Sequence, residues 1–89
     1  MIHRIFTVYD QKAEAYLQPF FAATKGLAIR SFQETLTQPE HHFTKHAEDF
    51  TLFELGEYDD ANAIIEQHAT PISLGTALEH KTEGTQNES

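Results

Sequence analysis

Three of the six histidines of this chain fall in one stretch, His41, His42 and His46. His42 and His46 are four residues apart, the spacing at which a helix presents two imidazoles to one metal ion. Glu40, Glu48 and Asp49 are near enough in sequence to complete a zinc set. Against that, Pro39 precedes the stretch and no apolar stripe runs through it, so it reads as a polar loop. No metal site is expected from it.

The carboxylates offer less. Glu48-Asp49 and Asp59-Asp60 are adjacent pairs with no context that predicts the shared burial needed to tune an acid against a base. Ser31 and Ser73 sit in no nucleophile elbow, and the four glycines form no phosphate loop. Neither an enzymatic activity nor a cofactor is expected. The remaining chemical signal is aromatic: Tyr16, Phe20 and Phe21 precede Lys25 and Arg30. Rings beside cations are what single-stranded nucleic acid requires, since every base has a π-face and every phosphate a charge. With Arg4 and Lys12 added as phosphate contacts, the candidate binding set is Arg4, Lys12, Tyr16, Phe21, Lys25 and Arg30. The plainer reading of the same rings is core, with the cations solubilising.

Charge cuts across that reading. The net charge is −8, which taken whole repels nucleic acid and anionic membranes. It is unevenly spread: residues 1–30 carry four cations against two acids, and residues 31–89 carry two cations against twelve. If nucleic acid binds, the N-terminal half is the expected place. Neither a signal peptide nor an 18-residue apolar run is present, so neither export nor membrane insertion is expected. The absence of cysteine suits a reducing cytoplasm.

The elements that must hold these residues follow from periodicity. Strands are expected near 2–9, 50–57 and 63–69. In the first, Ile2, Phe6 and Val8 point one way and His3, Ile5, Thr7 and Tyr9 the other, the mark of an inner strand. In the second, Phe53 and Leu55 oppose Phe50 and Leu52, and the second and third strands form a hairpin. Residues 13–24 read as a loop or extended arm, because Pro19 forbids a helix interior. Thr24 caps a main helix over 25–37, with Ile29, Phe32 and Leu36 on its apolar side and Arg30 and Glu34 as an outer pair. Thr70-Pro71 reads as the start of a short second helix carrying Leu74, Ala77 and Leu78. The expectation is an α+β domain over 1–80 in the order β-α-β-β-α. Its three-stranded sheet has the main helix on one face, and a disordered polar tail occupies 81–89. One helix leaves the other face of the sheet bare, so a homodimer or higher oligomer is expected.

The phrases Ile5-Phe6-Thr7-Val8-Tyr9-Asp10, Lys12 to Phe21, Lys25 to Phe32, Lys45 to Asp60 and Pro71 to Gly75 resemble the small nonstructural protein of gokushovirus-type microviruses, the single-stranded DNA phages. The Leu52-Phe53-Glu54-Leu55-Gly56-Glu57 strand with its acidic turn is the most specific part; Ala47 stands where that family has proline. The resemblance implies a non-capsid accessory protein in the host bacterial cytoplasm, acting in viral single-stranded DNA synthesis or in the switch from replication to packaging. It would bind single-stranded DNA or the replication machinery. The alternative is a homodimeric interaction module that redirects a host or viral protein without touching DNA.

Overall fold

The structure, a computed structural model, describes residues 1–81. The chain runs β1 (Ile2–Asp10), β2 (Ala15–Tyr16), β3 (Phe20–Ala22), α1 (Lys25–Thr35), α2 (His42–Lys45), a 3-10 turn (Ala47–Asp49), β4 (Phe50–Asp59) and β5 (Ile64–Thr76). Residues 77–81 are helical again, here α3. The strands form one antiparallel sheet in the order β2-β1-β4-β5, with β3 also paired to β1. This corrects the expected three-stranded sheet: five strands dominate, and the helices are short.

Two local choices account for the difference. The arm at 13–24 is extended as expected, but it joins the sheet: Tyr16 lies opposite Tyr9, and Phe21 opposite Ile5. Pro19 falls between the two short strands, where no ladder donor is lost. Thr70-Pro71 does not start a helix. β5 runs on through it to Thr76, because Ile72 and Ser73 pair with Glu54 and Phe53 of β4. Between Gln67 and Ile72 the register slips, so His68 to Pro71 leave the ladder. A proline without an amide is accommodated in such a bulge on an edge strand. The helix begins only after Thr76. The Thr76 hydroxyl accepts from the Glu79 amide at 3.1 Å and the Glu79 carboxylate accepts from the Thr76 amide at 3.0 Å, a reciprocal cap. The tail expected at 81–89 lies outside the described residues except for Lys81, which is helical.

α1 is one of the short helices and begins where periodicity starts the expected main helix, but it ends at Thr35 and not at 37. The Thr24 hydroxyl accepts from the Leu27 amide at 3.1 Å and caps α1. Ala28, Phe32 and Leu36 are buried, and Ile29 packs beside them. They lie on Phe6, Val8, Phe50 and Leu52 of the sheet. Phe6 and Leu52 are fully sealed, and burial of each contributes about 1.5–3 kcal/mol. Arg30 and Glu34 are both exposed and form no ion pair among the described residues. The stretch expected as a polar loop holds one helical turn, capped by His41 Nδ1 accepting from the Phe43 amide at 3.1 Å. Phe43, 4.6 Å from Phe50 between ring centroids, carries that turn onto the core.

Candidate functional site

Residues opposite one another in an antiparallel ladder share a face, and faces alternate along a strand. Phe6 faces Glu54 and Val8 faces Leu52 on the side covered by α1. Thr7 faces Phe53, and Tyr9 faces Thr51 on the other side. Leu55 bulges between the pairs Phe6–Glu54 and Ile5–Gly56, after which Tyr58 lies opposite His3 on that second side. The pairs with β2, β3 and β5 add Tyr16, Phe21, Ser73, Gln67 and Ile65.

The side without helices is therefore aromatic. Tyr9 and Tyr16 are 4.8 Å apart between centroids, and Tyr16 meets Phe53 edge-on at 5.8 Å. Phe21 meets Tyr58 edge-on at 5.9 Å, and His3 lies 6.1 Å from Tyr58. Tyr16 and Phe21 remain 51% and 53% exposed. The crossing segment is anchored beneath them: the Thr7 hydroxyl donates to the Leu17 carbonyl at 2.7 Å.

The same pairing sorts the charge. Every acidic residue paired in the ladder, namely Asp10, Glu54, Glu57, Asp59 and Glu66, falls on the helix side or its continuation. Ile2, Glu57, Asp59, Ile64 and Glu66 line one acidic hollow there. The rims of the aromatic face carry Glu14, in the β1–β2 turn, and Asp60, at the hairpin tip. Asp60 is held by the Met1 ammonium at 2.7 Å and by His3 Nε2 at 2.8 Å. Those hydrogen bonds, the ammonium's first, draw its pKa below the ordinary carboxylate value.

Of the six residues expected to bind, Tyr16 and Phe21 stand together on the open face. The cations do not join them. Arg4 points to the helix side, with its guanidinium 3.4 Å from the buried Glu54 carboxylate, which His68 Nε2 also meets at 2.7 Å. Lys25 opens α1 at the mouth of a cleft of about 440 Å³ shared with Arg4, Glu54 and Ile72. Arg30 is exposed on α1, and Lys12 alone lies beside the aromatic face, in the turn next to the Tyr9–Tyr16 pair. Tyr9, Phe53 and Tyr58 were missed as site residues. The alternation that puts Tyr9 with Ile5 and Thr7 was legible, but the register that brings Phe53 and Tyr58 alongside was not.

The sequence profile of a family described as Phage ORF5 protein matches residues 3–80. The chain belongs to that family. Its extent coincides with the described fold, from the first ladder pairs to α3. No curated protein and no solved structure matches the chain. Among the described residues, no helix is long and apolar enough to cross a membrane.

Proposed function

We propose that this phage protein binds single-stranded nucleic acid on the open aromatic face of its sheet. The observation that carries the reading is the sorting of side chains. Tyr9, Tyr16, Phe21, Phe53 and Tyr58 occupy a face to which the ladder contributes no carboxylate. Rings on a sheet offer stacking platforms for bases without regard to sequence. The ladder-paired carboxylates that would repel a phosphate chain lie on the opposite side, and Glu14 and Asp60 stand only at the rims. Within the phage family the fitting role is an accessory factor in viral single-stranded DNA synthesis or in the switch to packaging, acting in the host bacterial cytoplasm by binding and not by catalysis. Fluorescence anisotropy with a labelled oligothymidine at low salt tests it. Binding that is lost in a Tyr16→Ala/Phe21→Ala double variant supports the reading. No binding at about 100 μM protein, weaker than non-specific binding usually is, rejects it.

One observation favours a second reading. Phe21 and Ile65 are exposed apolar groups that both adjoin Tyr58, Leu17 is exposed further along β1, and β5 leaves a 13-residue edge open. A homodimer that uses this face to engage a host or viral protein would cover them. Sedimentation separates the two: a dimer that the Phe21→Ala change dissociates, without any oligonucleotide binding by the parent, favours the interaction module.

A further inference from the structure

We infer that the junction between α2 and β4 is a binding site for a divalent transition-metal ion of the zinc class. Its ligands would be His46, Glu48 and Asp49. Donor atoms of these three side chains lie within 4.8 Å of one another. The local backbone brings them together. His46 ends α2, its carbonyl accepts from the Asp49 amide at 2.9 Å, and that tight turn folds position 49 back over position 46. Asp49 is then fixed from the other side, where its carbonyl accepts from the Gln11 amide at 2.9 Å.

The second observation is the state of Asp49. It is 9% exposed, yet among the described residues its carboxylate has no hydrogen-bond donor and no ion-pair partner. Among the described residues no side-chain oxygen is both sealed from solvent and unpartnered, so the Asp49 oxygens keep an opening through which an ion can reach them. A cation held there supplies the missing partner. One imidazole with two carboxylates is a donor set for zinc-like ions, with water filling the open position; an all-oxygen set would suit magnesium or calcium better. Ligation at about 2.0–2.2 Å draws tetrahedral donors to roughly 3.5 Å of each other. Closing the present spacing takes rotations of His46 and Glu48, both exposed and free to turn, onto the fixed Asp49.

The pairing of His42 with His46 is not this site. His42 lies at the other end of α2 and is outside the cluster. His42→Ala is therefore the control. The test is titration of the untagged protein with Zn²⁺ at pH 7.5, read by calorimetry and by the thermal midpoint. One ion should bind per chain and raise the midpoint. Asp49→Asn and His46→Ala should each weaken binding by about tenfold or more and abolish the shift, while His42→Ala leaves both unchanged. If Asp49→Asn does not fold, Glu48→Gln and His46→Ala, at exposed positions, carry the test. Co²⁺ should bind with the visible absorption of a four-coordinate site, and that band should vanish in His46→Ala. No binding by about 1 mM Zn²⁺, or binding that follows His42 and ignores His46 and Asp49, overturns the inference.

Discussion

Tyr16 and Phe21 each expose about half of their surface on short strands whose backbone is pinned to β1, so their rings are held without being buried. Replacing either by alanine should leave stability nearly unchanged and weaken oligonucleotide binding by about 1–3 kcal/mol; anisotropy titration beside a thermal melt reads both. These two rings were legible in the sequence because aromatic residues cluster around Pro19, where neither helix nor core strand was available. The cations stand apart from these rings for a local reason: Arg4 alternates to the opposite face from Ile5, where Glu54 holds it. At the other end of the chain, Glu79 accepts hydrogen bonds from the Thr76 amide and hydroxyl, and these hold its pKa below the usual value. A lowered carboxylate pKa means that the cap is fully present above the ordinary glutamate pKa of about 4.3 and is lost as pH falls through the lowered one. Carboxyl NMR should place the Glu79 titration below the ordinary glutamate value, and Thr76→Val, which removes the hydroxyl donor but keeps the amide, should bring it only part of the way back.

At the scale of elements, the β4–β5 hairpin decides the fold, and one glycine permits its geometry. A Cβ on Gly56 would run into the Glu66 carbonyl oxygen and stand 2.9 Å from Gln67 Cα, both backbone atoms that cannot step aside. Gly56→Ala should therefore destabilise by about 2 kcal/mol or more, well beyond the ±0.5 kcal/mol of an ordinary surface change; urea denaturation measures it. The turn of the same hairpin shows the opposite case. Ala63 sits at φ 60°, in the left-handed region that costs a residue with a side chain about 1–2 kcal/mol. Ala63→Gly should accordingly stabilise by about 1 kcal/mol or somewhat less, since glycine also gains freedom in the unfolded chain. The hairpin, the inner position of β1 and the buried face of α1 were all readable from period-2 and period-3.6 patterns. The length of β5 was not. Thr70-Pro71 carries the signature of a helix start, and only the tertiary pairing of Ile72 and Ser73 with β4 overrides it. The true cap, Thr76 with Glu79, was written in the sequence three residues apart, hidden by the earlier and stronger-looking signal.

For the whole molecule, the question is how a chain of net charge −8 could hold an anionic polymer. The division of charge between halves of the sequence pointed to the N-terminal half, but the structure divides charge by face instead. Acids paired in the ladder lie with α1, and so do Arg4 and Lys25; the aromatic face has Lys12 at its edge and Glu14 beyond it. Binding on that face must then rest on stacking, with at most one or two phosphates neutralised. Each neutralised phosphate of a single strand contributes about −0.7 to the dependence of log K on log salt. The slope should therefore be shallow, no steeper than about −1.4, and screening of the distant acids by added salt should flatten it further. Lys12→Ala should remove most of what slope there is, whereas Lys25→Ala with Arg30→Ala should leave both affinity and slope as they were. A slope near −3 that collapses when Lys25 and Arg30 are removed would place the strand across the helix side, along the cleft between α1 and β5. In that event the aromatic face would be left for a protein partner.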